Sequence, residues 1–179
     1  RQFSEMRQVP AADFREPRGL VHREARLRVG TIHHAEVGDG EPILLLHGWP
    51  EFAAVWNPVL NEVDHRNRFI APDMLGFGLS DMPDGPRDDL GARAQANIIV
   101  ELLDHLGIER AGIVSHDSGA DVAQILAREH PERVSRLVFF NCPTPGVGRN
   151  WIDQGHFGEI WYTSFHQFDW TARLVGHSR

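Results

Sequence analysis

The sequence predicts an α/β fold built on a doubly wound, mostly parallel sheet. Short apolar runs alternate with amphipathic stretches, and turn residues separate them. The run ILLL at 43–46 is continuously apolar, as is typical of a strand buried on both faces of a parallel sheet. One helix face is indicated by the spacing i, i+3, i+4, i+7 of Ile99, Leu102, Leu103 and Leu106.

The predicted elements alternate along most of the chain. The helix near Trp56 is expected to hold Pro58 in its first turn, where a missing N–H costs nothing. In chain order, strands are predicted at 23–29, 31–37, 43–46, 68–72, 111–114 and 136–140, with helices from near Trp56, around 98–106 and over 119–130. Ligands of such sheets bind beyond the carboxyl ends of the strands, so the loops leaving those ends are the first places to look for chemistry.

Composition excludes several classes of function. The 179 residues are 41% hydrophobic with a net charge of −7, which suits a globular domain and gives no attraction to nucleic acid or an anionic membrane. The apolar runs are too short to span a bilayer. The single cysteine predicts a reducing, cytoplasmic location. The eleven histidines show no metal-ligand spacing, and His33 and His34 are expected on opposite faces of a strand, so no metal site is predicted.

The stretch SHDSGA at 115–120 places a carboxylate on a tight turn between a predicted strand and a predicted helix. A nucleophile on such a turn needs small residues two positions before and after it, because the two backbones approach closely there. Asp117 has Ser115 and Gly119 at those positions, whereas Ser118 would have His116. The frame therefore selects Asp117 as the nucleophile. The alternative is that Asp117 only caps the helix.

Two further loops follow strand ends. In LLLHGWP, the N–H of Trp49 is predicted to join the N–H of Ser118 as the donors of an oxyanion hole. His47 and His116 either line the pocket or brace these loops by hydrogen bonds. In APDMLGFGLSDMP, Asp73 and the later Asp81 are interpreted as structural.

The character of the chain changes after Asn141. Seven of the sixteen aromatic residues fall between Trp151 and Trp170. We predict a boundary at residue 142, with 1–142 forming part of the core and 143–179 beginning a cap. This segment either packs on the core as a helix or covers a pocket as a lid, and the lid would place Trp161 in the pocket lining.

These motifs resemble the α/β-hydrolase family, in its epoxide hydrolase and dehalogenase branch, where an Asp replaces the Ser of esterases. The resemblance runs from about Leu20 onward and rests on HGWP, APDMLGFGLSDMP and SHDSGA. It implies a fold with a helical cap, no metal or organic cofactor, and a small-molecule substrate. Asp117 is expected to attack an sp3 carbon, and a water activated by a histidine is expected to hydrolyse the resulting ester.

The resemblance also bears on the substrate. Haloalkane dehalogenases usually hold halide with an Asn and a Trp, at the positions that here carry Trp49 and Ser118. Fluoroacetate dehalogenases place arginines at the positions of Ser118 and Asp121. Epoxide hydrolases use cap tyrosines as proton donors, and Tyr162, the only tyrosine, is the candidate here. Epoxide hydrolysis is thus favoured, dehalogenation of a haloalkane or haloacid is the alternative, and a non-catalytic, hydrolase-like binding protein is the third possibility.

The family pattern places the general-base histidine and its acid partner after the cap, and neither is assigned within these 179 residues. In some relatives the acid follows the strand after the nucleophile helix, but Asn141 stands there. The expectation is an N-terminal part of a longer enzyme, inactive by itself. A homodimer is possible.

Overall fold

The computed structural model describes residues 14–83 and 90–142. The chain divides after Cys142 into two units, Arg1–Cys142 and Pro143–Arg179, and the second unit lies outside the described residues. The predicted cap, and Trp161 and Tyr162 within it, therefore stay predictions.

A six-stranded sheet, in the order β1-β2-β4-β3-β5-β6, forms the centre of the described part. Its strands are β1 (Val21–Leu27), β2 (Gly30–Val37), β3 (Pro42–Leu46), β4 (Arg68–Pro72), β5 (Ala111–His116) and β6 (Val134–Phe140). β2 runs antiparallel to both β1 and β4, while β3 pairs in parallel with β4 and β5, and β5 with β6. The predicted mostly parallel sheet is confirmed.

Within the described residues, three α-helices connect the strands: α1 (Asn57–Glu62), α2 (Ala92–His105) and α3 (Ser118–Glu129). A 3₁₀ turn, Ala53–Trp56, leads into α1, and Pro58 lies in the first turn of α1 as predicted. No helix within 14–83 and 90–142 combines the length and the hydropathy that a bilayer span requires.

Both faces of the sheet are covered, which explains why β3 is apolar throughout. One core joins alternate residues of the strands, such as Leu44 and Leu46, to the apolar faces of α2 and α3. The other joins residues including Leu45 and Ala71 to Trp56 and Leu60 of the 3₁₀ turn and α1. Residues facing both ways along β3 are thus buried, as a parallel strand between two helical layers requires.

The last strand differs from the others. β6 pairs with β5 on one side and has no further strand partner among the described residues. Its apolar side chains are partly open to solvent, with Val138 56% and Phe140 50% exposed. β6 therefore forms the edge of the described sheet.

Candidate active site

Asp117 occupies the turn between β5 and α3 with φ 50° and ψ −130°. A positive φ is uncommon for a residue with a side chain, and such conformations cost about 1–3 kcal/mol. The turn brings α3 against the end of β3: a Cβ on Gly119 would lie 2.4 Å from the carbonyl oxygen of His47. Ser115, two residues before Asp117, is fully buried. The small neighbours on which the sequence prediction rested are thus required by packing.

The Asp117 carboxylate is bound on one side. Its Oδ1 accepts hydrogen bonds from the backbone N–H of Trp49 at 2.9 Å and of Ser118 at 2.7 Å. No hydrogen bond to Oδ2 occurs within the described part of the chain. Both predicted oxyanion donors therefore meet at a single oxygen atom.

These bonds differ from those of an ordinary helix cap. An N-cap side chain usually accepts from the second or third N–H of its helix, whereas Asp117 accepts from the first, that of Ser118. The second donor, Trp49, belongs to the loop after β3 rather than to α3. The arrangement therefore goes beyond a helix cap, because a donor from outside α3 also binds the carboxylate.

The loop after β3 approaches Asp117 closely because Gly48 has no side chain. A Cβ at Gly48 would lie 2.6 Å from the Cβ of Asp117, which is closer than real Cβ contacts allow. The next peptide bond, Trp49–Pro50, is cis, and the N–H of Glu51 returns to the Gly48 carbonyl at 3.1 Å. The glycine in HGWP thus allows the N–H of Trp49 to reach the carboxylate.

Glu51 joins this loop to the turn after β5, and the sequence analysis did not predict it. Its Oε2 accepts from the N–H of Gly48 at 3.1 Å and lies 2.5 Å from Nε2 of His116. The His116 ring stacks on Phe140 and meets Trp56 edge-on, with centroid distances of 5.5 and 5.3 Å. A carboxylate three residues after a loop glycine was the available signal.

His47 connects the loop after β3 to the loop after β4 by hydrogen bonds. It has no exposed surface; its Nδ1 donates to the Gly48 carbonyl at 2.8 Å and its Nε2 accepts the N–H of Met74 at 3.0 Å. Burial lowers the pKa of His47, and the nearby hydrogen bond and carboxylates only partly offset this effect. These hydrogen bonds match the alternative in which His47 holds the loops together. The pocket-lining assignments of His47 and of His116, which is 14% exposed, stay predictions.

Asp73 organises the loop after β4. Its oxygens accept the N–H of Ala53 at 2.6 Å, the N–H of Leu79 at 2.8 Å and Nδ1–H of His33 at 2.8 Å. Burial alone would raise the pKa of Asp73, but these hydrogen bonds outweigh it and hold the pKa below its ordinary value. Asp81 accepts the N–H of Thr31 at 2.7 Å. The contacts of both aspartates support their structural interpretation.

A second carboxylate, that of Asp121, lies near Asp117 on the α3 side. Burial, and then the charge of Asp117, raise the pKa of Asp121, one turn along the helix. Burial raises the pKa of Cys142, and Asp121 and Asp117 add to that effect. No group of His, Cys, Asp and Glu suited to a metal ion occurs in the described ranges.

Comparisons with known proteins identify the fold. A family model for the α/β hydrolase fold matches residues 41–163. Epoxide hydrolase 1 of Caenorhabditis elegans is 34% identical over 153 residues, covering 83% of this chain and 38% of the relative. Haloalkane dehalogenase 2 of Mycobacterium tuberculosis is 37% identical over 112 residues, covering 63% of this chain and 38% of the relative.

Solved structures give the same result. An epoxide hydrolase of Vigna radiata superimposes with a TM-score of 0.64 at 30% identity, covering 70% of this chain and 41% of that protein. The chain spans about two fifths of the length of these relatives. The match covers the strands and loops that carry Trp49, Asp73 and Asp117. The chain belongs to the α/β-hydrolase fold family.

Proposed function

We propose that this chain carries the nucleophile of an epoxide hydrolase, with Asp117 opening the ring through an alkyl-enzyme ester. The supporting observation is the one-sided binding of the carboxylate. Trp49 and Ser118 donate to Oδ1, and no described group donates to Oδ2. Oδ2 is therefore the oxygen that attacks.

The reaction has two steps. Oδ2 attacks an epoxide carbon, the ring carbon–oxygen bond breaks, and the ring oxygen takes a proton, for which Tyr162 is the candidate donor. Water then adds to the ester carbonyl carbon of Asp117, and the negative charge develops on Oδ1 between the N–H groups of Trp49 and Ser118. A histidine takes the proton from that water and passes it to Oδ2 as the bond between the carbon and Oδ2 breaks, so that a vicinal diol leaves. The proton left on the Asp117 carboxyl restores the donor of the first step. No histidine among the described residues is assigned to activate the water.

Local electrostatics favour a substrate without negative charge. Asp121 lies close enough to Asp117 for the two carboxylates to influence each other, which would repel a haloacid. Dehalogenation of a neutral haloalkane remains the second candidate, since a haloalkane dehalogenase is among the relatives. The predicted cytoplasmic location and homodimer stay predictions.

The decisive experiment uses the full-length protein. Rapid quenching with a terminal aryl epoxide, followed by mass spectrometry, is expected to find an ester adduct on Asp117. An adduct on another residue would contradict the assignment, and the absence of any adduct with either substrate class would favour a binding protein.

Substrate class is tested separately. Diol formation from the epoxide is expected to be faster than halide release from a bromoalkane at matched concentration. The variant Tyr162→Phe is expected to slow ring opening by about 10²–10⁴-fold if its hydroxyl is the main acid. Faster halide release together with an unchanged Tyr162→Phe variant would reject both the epoxide substrate and the role of Tyr162.

A further inference from the structure

Four ionisable side chains form a continuous hydrogen-bonded series from the surface to the interior. Glu16 Oε1 lies 3.0 Å from His22 Nε2, His22 Nδ1 lies 2.8 Å from His33 Nε2, and His33 Nδ1 lies 2.8 Å from Asp73 Oδ2. The exposure of the four side chains, in the same order, is 64%, 46%, 7% and 1%. We call these four residues the histidine network.

The geometry between the two imidazoles is that of a hydrogen bond. Their planes lie within 20° of each other and their centroids are 5.0 Å apart, while the facing nitrogens are only 2.8 Å apart. The rings therefore meet edge to edge, with the N–H of one ring directed at the in-plane lone pair of the other.

A count of hydrogens shows what this geometry requires. Three hydrogen bonds need three hydrogens, because carboxylates only accept. Two neutral imidazoles carry one N–H each, so together they supply two. The complete network thus holds one proton more than two ionised carboxylates and two neutral histidines provide. A second extra proton would turn both facing nitrogens of His22 and His33 into donors and break the bond between them.

The surroundings of the two rings contain few other charges in the described part of the chain. On β1, Glu24 lies opposite His33 in the strand register and Arg26 lies opposite Thr31. The loop after β4 contributes Asp81 in addition to Asp73.

Of the other two neighbouring elements, only the N-terminal segment adds charged side chains. The N-terminal segment contributes Arg15 and Arg18 beside Glu16. Residues 53–61, the 3₁₀ turn and most of α1, include no ionisable side chain. The charged groups named here are four carboxylates and three arginines, and of these Glu16 and Asp73 are the two that bond the histidines.

The network connects segments that are distant in sequence. Asp73 Oδ1 accepts the N–H of Ala53, the first residue of the 3₁₀ turn that follows the loop carrying Trp49. At the other end, Asn57 and Asn61 of α1 donate to the carbonyls of Phe14 and Arg15, beside Glu16. The network and the residues beside it thus contact both ends of the segment formed by the 3₁₀ turn and α1.

We propose that Glu16, His22, His33 and Asp73 share a single extra proton, and that the network is complete only in the pH range where that proton, and no second one, is bound. Above this range one of the three hydrogen bonds is lost, and below it the bond between His22 and His33 is lost. The hydrogen bond from the N–H of Ala53 to Asp73 is most stable between these two pH limits. The proposal does not depend on the reaction assigned to Asp117.

The test follows imidazole nitrogen signals by NMR in the full-length protein as the pH is changed. In the unmodified protein, His22 and His33 are expected to take up protons in two steps more than about one pH unit apart. The amide of Ala53 is expected to exchange with solvent about tenfold more slowly between the two steps than below the lower one. Independent, single-step titrations of His22 and His33 would overturn the proposal.

Glu16→Gln provides the sharper test, because its amide donates a hydrogen to His22 Nε2. All three bonds are then made with two neutral imidazoles, so the extra proton is no longer required. The upper step is expected to move down by at least about one pH unit, a tenfold loss of proton affinity.

Glu24→Gln is the matched control. Glu24 is an exposed carboxylate opposite His33, and no hydrogen bond joins it to the network. Glu24→Gln also removes one negative charge near the two imidazole rings. It is expected to move the upper protonation step much less than Glu16→Gln does. Equal shifts in Glu16→Gln and Glu24→Gln would show a charge effect alone and reject the shared proton.

Discussion

Asp73 and Asp117 occupy equivalent positions, each directly after a strand, but their carboxylates are bonded differently. Each follows the last residue of a strand at the carboxyl edge of the sheet, β4 for Asp73 and β5 for Asp117. Asp73 is 1% exposed, and three donors from three segments occupy both of its oxygens. Asp117 is held through Oδ1 alone, at a residue with positive φ.

The difference shows how an aspartate is committed to structure or kept available for reaction. When donors bind both oxygens of a buried carboxylate, as in Asp73, the group is stabilised as an acceptor and is not accessible to a substrate. When donors bind one oxygen only, the carboxylate is oriented and the other oxygen remains nucleophilic. The four predictions below test this contrast by altering each side of it.

The largest effect is expected from Asp117→Asn. An amide oxygen is a poor nucleophile, so turnover is expected to fall by at least about 10³-fold in the full-length protein. The free energy of unfolding is expected to change by less than about 1 kcal/mol, since the amide oxygen still accepts from Trp49 and Ser118. Steady-state kinetics and chemical denaturation measure the two quantities. Near-normal turnover would remove Asp117 from the mechanism.

Asp73→Asn is expected to show the reverse pattern. The amide has a single oxygen, so it cannot accept from Ala53 on one side and from His33 and Leu79 on the other. The free energy of unfolding is therefore expected to fall by about 1.5–3 kcal/mol. Denaturation in urea, compared with Asp117→Asn, provides the measurement. If Asp117→Asn were the more destabilised variant, the contrast between the two aspartates would be wrong.

Gly48→Ala tests the approach of the two loops. The added Cβ would lie 2.6 Å from the Cβ of Asp117, so the loop must move and carry the N–H of Trp49 away from Oδ1. Stability is expected to fall by about 1–3 kcal/mol. The rate of ester hydrolysis is expected to fall by about 10²-fold or more.

Gly112→Ala in β5 is the matched control for Gly48→Ala. Its added Cβ would meet its nearest neighbour, Ile43, at an ordinary 3.6 Å. Ester hydrolysis in Gly112→Ala is expected to stay near normal. An equal loss of hydrolysis in both variants would show that general destabilisation, rather than loop position, is the cause.

The smallest expected effect is the change in folding stability with pH. His47 has a pKa lowered from 6.5 in the folded protein, so the unfolded chain binds its proton first and stability is expected to fall as the pH drops below about 6.5. Asp73 has a pKa lowered from 3.8, so its contribution is present above that value and is lost as the pH falls further. Denaturation curves from pH 8 to pH 3 are expected to show both declines.

His47→Gln retains an acceptor for Met74 but does not titrate. In this variant, the loss of stability below about pH 6.5 is expected to be shallower, while the loss below pH 3.8 is unchanged. An upper decline as steep as in the unmodified protein would assign that decline to other groups.

The sequence predicted the order and type of the described elements because their apolar patterns are local. The strand at Arg68–Pro72 was predicted at its observed bounds. Helix α2 begins at Ala92, several residues before the predicted apolar pattern. The reason is Gln95, which is buried and bonds both backbone groups of Leu75, so a polar residue occupies the buried face.

The site was predicted only in part. The frame around Asp117 and the N–H groups of Trp49 and Ser118 could be predicted, because they depend on residues within a few positions of a strand end. Glu51 and the histidine network could not, since their partners lie up to 65 positions away in sequence. Such contacts depend on strand register, which no single segment of the sequence specifies.

The binding of Asp117 through one oxygen also has an isotopic consequence for the proposed reaction. Each turnover would send Oδ2 out in the product and replace it with an oxygen from water, while Oδ1 stays between Trp49 and Ser118. After many turnovers in water enriched in oxygen-18, the Asp117 carboxylate is expected to carry one heavy atom and retain one original atom. Two atoms of one side chain would then have very different lifetimes in the protein.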